Sequence, residues 1–284
     1  MPPAVAALFM DHAAAAAAYA GPGDLVSTGW ACWSGLRAFT LASIGANAID
    51  LRRDGGSPAT QTFTTVAGGG LDIAGITTFK GANNLFVSKL WDQTGNGNHF
   101  VQTTAALQPQ FLLGVTGSRP GMFFVSASGL WLPLVGTGSL NTTTVSSPFT
   151  MSAVGERTSN FANYNLLFID NSSNAQVRWE ATANTIGMYA GAPFLDVTAA
   201  GIDSAFHGFN CSFNGASSNL QIDATSNLGT TGTAQPITIS LGIGGNASGL
   251  YLDGYVMEVG VNSAAFSTTV CGQLGSQQKS FYGY

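Results

Sequence analysis

From residue 149 onward, apolar and polar positions alternate in short runs cut by Gly, Asn and Ser. Alternation with a period of two marks strands with unlike faces, and turn residues at each break mark the connections between them. The pattern predicts strands over 149–155, 165–169, 176–181, 185–190, 206–213, 219–223, 237–243 and 250–261, with a turn beginning at Asn214-Gly215. Thr268 to Phe281 then reads as a closing helix with Leu274, Gln278 and Phe281 along one side. Upstream, Ala48 to Arg53 sets Ile49, Leu51 and Arg53 against Asp50 and Arg52, a strand with which the β-branched run Gln61 to Val66 pairs. Trp30 and Trp33 are spaced to share one face of a helix. The same patterns place Trp91, Phe124, Phe149, Met151, Phe168, Phe209, Phe213, Leu241, Tyr255 and Met257 inside, with Phe149-Thr-Met-Ser-Ala153 and Tyr255-Val-Met-Glu258 supplying inward faces.

The stretch from Leu85 to Gln102 organises the first half. Phe86 to Trp91 is a strand rich in aromatic and aliphatic residues, and Asp92-Gln93-Thr94-Gly95-Asn96-Gly97-Asn98 follows as a loop able to satisfy its own backbone. Such a loop serves either as a structural corner or as a ligand- or metal-holding surface. Asp92, Asn96 and Asn98 could offer oxygens to calcium, although one carboxylate per loop implies weak binding. No other cofactor is expected.

Leu90-Trp-Asp-Gln-Thr-Gly-Asn-Gly-Asn-His99 resembles the Tyr-Asp-Gln-Ser-Gly-Asn-Gly-His signature of the α-L-arabinofuranosidase B catalytic-domain family. Ile49-Asp-Leu-Arg-Arg-Asp54, Gly70-Leu-Asp72 and Gln108-Pro109 extend the resemblance, and the later strands look laminin-G-like. The resemblance implies an all-β fold: a concanavalin A-like antiparallel β-sandwich, or jelly roll, forming one domain over 23–284. A short N-terminal helical arm over 1–22, read from its Ala-rich run and the stop at Gly21-Pro22-Gly23, has no counterpart in that family, and a C-terminal helix closes the chain. Copies of this signature also occur in phage-borne surface modules, so fold transfers from it more readily than activity.

A retaining glycosidase needs two carboxyl groups, one as nucleophile and one as acid/base. Glu156, Glu180 and Glu258 are the only glutamates. Arg178-Trp-Glu-Ala181 is similar to the family's nucleophile segment, which makes Glu180 the candidate. The family's general acid is an Asp after a Gly-Gly pair, and Gly244-Gly245-Asn246 holds Asn there. An amide cannot protonate a leaving group as a carboxylic acid does, so Asp253 is the substitute candidate. Candidate ligand-binding residues are Asp92, Asn96, Asn98, His99 and Asn246. His99 and His207 read as structural histidines, since neither has another His or Cys at ligand spacing, and no metal site is predicted.

Charged residues make up 8% of the 284, against 37 glycines, and the formal charge is −5. A surface of Ser, Thr, Asn and Gly suits packed assemblies and sugars, and the absence of a basic patch argues against nucleic acid. Cys32, Cys211 and Cys271 form no zinc pattern. No window is apolar enough for membrane insertion, and the Ala-rich start lacks the basic region of a secretory signal. Low charge, the Ala-rich arm and the missing acid together suggest a non-catalytic virion module of a phage: a capsid decoration, fibre or tail-tip protein. Such a protein, made in the host cytoplasm without a cleaved signal and exposed on the particle surface, would pack against other virion chains and bind host glycan. Residues 1–20 would dock on a neighbouring subunit, most simply in a trimer. An arabinofuranosidase-type hydrolase and a free-standing lectin are the alternatives.

Overall fold

The computed structural model describes residues 19–55, 58–135, 145–158, 175–231, 241–246 and 249–284, together with the backbone of 165–170. In chain order α1 (Pro22–Leu25) leads into β1 (Trp30–Gly35), β2 (Asn47–Arg53), β3 (Ala59–Thr64) and α2 (Ile73–Lys80). Next come β4 (Leu85–Leu90), β5 (Phe100–Val101), β6 (Gln110–Thr116), β7 (Arg119–Phe124) and β8 (Leu132–Pro133). The second half holds β9 (Phe149–Arg157), β10 (Asn165–Asp170), β11 (Gln176–Trp179), β12 (Thr185–Tyr189) and β13 (Phe194–Thr198). It closes with β14 (His207–Phe213), β15 (Ser218–Ile222), β16 (Thr225–Gly229), β17 (Leu241–Ile243), β18 (Gly254–Asn262) and α3 (Thr268–Tyr282).

Among the described residues these strands form two antiparallel sheets. The larger runs β16-β15-β14-β9-β18-β7-β6-β4-β2-β3, with β1 also on β18 and β5 on β4; the smaller runs β13-β12-β11-β10-β17-β8. Their facing sides share one apolar core that includes Phe124, Phe149, Met151, Phe209, Phe213 and Leu241, all almost wholly buried. The chain is therefore an all-β, concanavalin A-like antiparallel sandwich with a C-terminal helix.

The opposite side of the large sheet is covered by α3. Ser267 caps that helix by accepting the N–H of Val270 at 3.3 Å, and Gly283 ends it at φ +76°. Met257 and Tyr255 pack beneath α3 with Val154, Phe206 and Tyr282 rather than between the sheets. A bulge between Val256 and Glu258 sends Val256, Val259 and Val261 inward instead. Tyr255 is only half-buried, at the margin of the helix. Trp91 is half-buried too, because it lies on the side away from the core, where Lys89 sits over its ring and its Nε1 donates to Asp50 at 2.7 Å. The Phe168 side chain and the 237–240 part of the predicted strand lie outside the described residues.

The helical reading of Trp30 and Trp33 is overturned. They lie in strand β1, paired with β18, and a bulge between Trp30 and Cys32 sets both indoles toward Phe266, Cys271 and Leu274. Strands β13 and β16 were not expected, and the predicted strand at 250 begins at Gly254. The arm over 1–18 lies outside the described residues, but the boundary drawn after residue 22 falls within the packed domain. Tyr19 donates its hydroxyl to the Ala38 carbonyl, Gly23 N–H reaches Phe39 O at 2.9 Å, and Gln277 Nε2 reaches Gly21 O at 3.0 Å. All three cysteines are buried and free.

Candidate functional site

Pairing of β11, β12 and β13 puts Arg178 opposite Gly187 and Gly187 opposite Asp196. Val177 and Trp179 point into the core, as do Leu195 and Val197. Alternation therefore sends Gln176, Arg178, Glu180, Phe194, Asp196 and Thr198 to the outer side of the small sheet. There Arg178 grips Glu180 with two donors, Nε to Oε1 at 2.8 Å and Nη2 to Oε2 at 3.3 Å. The guanidinium lies 4.1 Å from the Phe194 ring centroid, and Phe194 stacks on Tyr189 at 4.4 Å. At the other end Thr185 and Thr198 share a hydrogen bond of 2.8 Å.

Gly187 is the floor of this cluster. A Cβ there would run into Oδ1 of Asp196 and lie 2.9 Å from Oε1 of Glu180, so the two carboxylates share the space above one glycine. Glu180 and Arg178 are buried while Asp196 is exposed, and the cluster opens toward the edge strand β13. Partial burial raises the Asp196 pKa, the charge of Glu180 raises it further, and Arg178 works in the opposite direction.

The chain around Glu180 is clamped from the other sheet. Arg157, fully buried at the end of β9, donates Nη1 to the Glu180 carbonyl and Nε to Oδ1 of Asp203 at 3.0 Å. Oδ2 of Asp203 in turn accepts the N–H of Asn184 in the β11–β12 turn. Two sheets thus fix the backbone that carries the buried carboxylate.

Asn246 lies at the same end of the small sheet. Val177 and Ile243 both stand opposite Phe168, and Glu180 and Asn246 each follow three residues later. β10 intervenes, so the two backbones are separated by two strand spacings, roughly 10 Å. Asn246 is buried and closes its own turn, its N–H reaching Leu250 O at 3.1 Å and its Oδ1 accepting Leu250 N–H at 3.2 Å.

The other candidates stand apart from this cluster. Asp253 gives both oxygens to Ser126, accepting its N–H and its hydroxyl at 2.6 Å each. That anchors a turn and leaves Asp253 badly placed as the replacement acid. In the Asp92 loop, Oδ1 of Asp92 accepts Trp33 N–H at 3.1 Å and Thr94 Oγ1–H at 2.7 Å, while Oδ2 accepts Asn98 N–H at 3.0 Å. Asn96 and Asn98 donate to the carbonyls of Trp30 and Ala31 at 2.8 and 2.7 Å. His99 accepts the Asp92 N–H on Nδ1 at 3.0 Å. The loop is a corner that pins β1 to β4, and a cation there would have to displace amide donors already in place. No group of three metal-ligating side chains occurs among the described residues.

His207 is half-buried, with Nδ1 2.8 Å from Oδ2 of Asp223 and Nε2 3.0 Å from the Gly201 carbonyl. Both partners only accept, so the arrangement favours a proton on each ring nitrogen. Burial opposes that charge, but the bonds to Asp223 and Gly201 outweigh it and raise the His207 pKa. Burial likewise works against the Asp223 charge, and His207 and the Gly208 N–H overcome it, lowering that pKa. The pair stabilises the fold most between the unfolded values of Asp and His, about 3.9 and 6.5. Its contribution fades as pH rises through the raised His207 value, and again as pH falls through the lowered Asp223 value. Asp223→Asn is accordingly expected to destabilise the protein more near pH 5.5 than near pH 9 in urea unfolding. Equal losses at both pH values would show that the pair is not ionic.

The arrangement around Gly187 involves two residues that were not among the candidates, Asp196 and Arg157. The alternation of Leu195 and Val197 against Phe194, Asp196 and Thr198 was the available signal for the first; Arg157 had none.

No family model matches the sequence, and no curated protein matches it. Solved structures do. A GH54 α-L-arabinofuranosidase soaked with a cyclic sulfate inhibitor aligns over 92% of this chain with a TM-score of 0.68 and 15% identity. The same values hold for an arabinofuranosidase complexed with arabinofuranosyl-α-1,2-xylobiose, and for a glutamate-to-glutamine mutant of a GH54 arabinofuranosidase soaked with 4-nitrophenyl α-L-arabinofuranoside. The chain spans 65% of the length of each. At this identity the likeness establishes the fold.

Proposed function

We propose that this chain is a carbohydrate-recognising sandwich whose sugar site is the outer face of the small sheet around Gly187. The observation that carries the reading is the convergence of Glu180, Arg178 and Asp196 over a glycine floor, beside the Tyr189–Phe194 stack. Carboxylates accept and a guanidinium donates hydrogen bonds to neighbouring hydroxyls, while aromatic rings cover the C–H faces of a sugar. A pentofuranosyl ligand is the first choice, because the similar structures carry arabinofuranosyl compounds and an arabinofuranosidase inhibitor. Titrating the full chain with arabinofuranosyl-xylobiose in a calorimeter should give saturable binding. Phe194→Ala should weaken it about tenfold, the worth of one lost aromatic contact. Absence of saturable binding to pentofuranosyl oligosaccharides would end this reading.

A place on a phage particle is a separate proposal, motivated by the low charge and the Ala-rich arm. Because residues 19–25 pack on the domain, its test removes residues 1–18 only: light scattering should show a trimer that becomes a monomer, and a monomer from the start would sink it.

A further inference from the structure

We infer that His207 regulates the sugar site: the doubly protonated ring seats the loop over 199–204 against the β11–β12 turn, and loss of one proton releases that loop and weakens binding around Gly187. The inference rests on the sugar-site reading above and adds its control. His207 opens β14 in the large sheet and Glu180 follows β11 in the small one, so this loop is the bridge between them.

The bridge is continuous. Nε2 of His207 lies 3.0 Å from the Gly201 carbonyl. Gly201 N–H and Asp203 N–H both donate to Oδ1 of Asn184, at 3.2 and 3.3 Å, and Ala199 N–H donates to the Asn184 carbonyl at 3.0 Å. Asn184 stands in the turn between Glu180 and Gly187 at φ +54°, a left-handed conformation that these bonds hold in place. Asp203 accepts the Asn184 N–H in return, and it also accepts Nε of Arg157, whose Nη1 holds the Glu180 carbonyl. Beside the loop lies a cavity of about 450 Å³ lined by Val197, Ile222, Thr225 and Asn227, which gives the loop room to shift once Gly201 is released.

The switch lies in where the last proton sits. Asp223 faces Nδ1 at 2.8 Å from the end of β15, Lys279 approaches from α3 and Glu156 from β9. Lys279 disfavours the charge on the ring, while Asp223 and Glu156 favour it. Burial also opposes that charge, but the bonds to Asp223 and Gly201 outweigh it, so the ring stays charged to higher pH than an ordinary histidine. When one proton leaves, the other stays on Nδ1 against the Asp223 carboxylate, the stronger acceptor. Nε2 then turns a lone pair on the Gly201 carbonyl, and attraction becomes repulsion. The Gly208 N–H fixes Oδ1 of Asp223 at 2.9 Å, so the carboxylate does not move to relieve it.

The test is calorimetry on the full chain with arabinofuranosyl-xylobiose across about pH 5.5–9, alongside NMR titration of the sugar-free protein. Affinity should fall about three- to tenfold, the worth of one lost hydrogen bond, through a His207 midpoint above the ordinary value of about 6.5. The Asn184 and Gly201 amides should titrate with that midpoint. Asp223→Asn should remove the fall and keep the tight binding at high pH. Its amide donates to Nδ1, so a neutral ring carries its proton on Nε2 and still holds Gly201. His207→Phe should bind at the weak alkaline level at every pH. Affinity that stays flat through the His207 midpoint, or Asp223→Asn falling in step with the wild type, would overturn the regulation. Absence of pentofuranoside binding at any pH would remove the sugar reading alone, provided that the two amides still follow His207; amides that ignore its midpoint would overturn the relay whether or not sugar binds.

Discussion

Glu258→Gln is expected to destabilise the protein by about 3–5 kcal/mol, the usual cost of leaving one member of a buried ion pair without the other. Arg37 and Glu258 are both fully buried. Glu258 accepts Nε of Arg37 at 2.5 Å, Nη2 at 2.9 Å, Gln278 Nε2 at 2.9 Å and the Tyr282 hydroxyl at 3.0 Å. Burial alone would lower the Arg37 pKa, and the Glu258 carboxylate reverses that and raises it. Glutamine keeps one acceptor oxygen where Glu258 has two, turns an amide NH2 toward groups that donate, and leaves a guanidinium under α3 with no countercharge. At this size the melting temperature should fall by roughly 10 °C. Replacing both partners, Arg37→Met with Glu258→Leu, should cost less than the two single changes added together, because no charge is left behind. Singles that each cost under about 1 kcal/mol would show that water reaches the pair.

Gly187→Ala should abolish sugar binding while changing stability by less than about 1 kcal/mol. The atoms nearest the added methyl are the carboxylate ends of Asp196 and Glu180, so the sheet accommodates it by pushing those two side chains aside. Glu180 cannot move without loosening the Arg178 pair, and the space over the glycine closes. Calorimetry against arabinofuranosyl-xylobiose, with thermal melting as control, separates this outcome from general damage. Binding retained at wild-type strength would place the sugar elsewhere. A melting temperature lowered as far as that of Glu258→Gln would mean the glycine serves the fold.

Much of the second half was readable because its strands alternate over the sandwich core: Phe149, Met151 and Ala153, then Phe209, Cys211 and Phe213, all face inward. The Asp92 loop was also readable as a corner, since its Asp, Asn and Gly residues are those a self-satisfied turn requires. The sequence did not show that the large sheet is buried on both sides. The face under α3 carries Thr150, Ser152, Asn210 and Ser212, polar residues that alternation assigns to solvent. They are buried because they bond to one another and to the helix: Ser152 to Asn210 at 2.8 Å, Asn210 to Gln278 at 2.9 Å, and Thr150 with Ser212 at 3.1 Å. The same double coverage took Met257 from the predicted core to the helix side. Trp30 and Trp33 misled because a bulge in β1 produces the spacing of a helical face. The candidate site was half legible. Glu180 carried a recognisable segment, whereas Asp196 reaches it only through strand pairing that no local pattern encodes.

Strand β18 pairs along its whole length with β9, and along its other edge with β7 and then β1, so the middle of the large sheet closes only when it arrives. The pairing of Trp30 with Asn262 joins positions more than two hundred residues apart, and a chain growing on the ribosome cannot make it until residues 254–262 have emerged. Until then β9, β7 and β1 each present an unpaired edge, which favours association with other nascent chains over native folding. Closure of the large sheet thus waits for β18 and is slow, as expected where long-range contacts dominate. A ribosome stalled before residue 254 would release a polypeptide that aggregates rather than a smaller folded core.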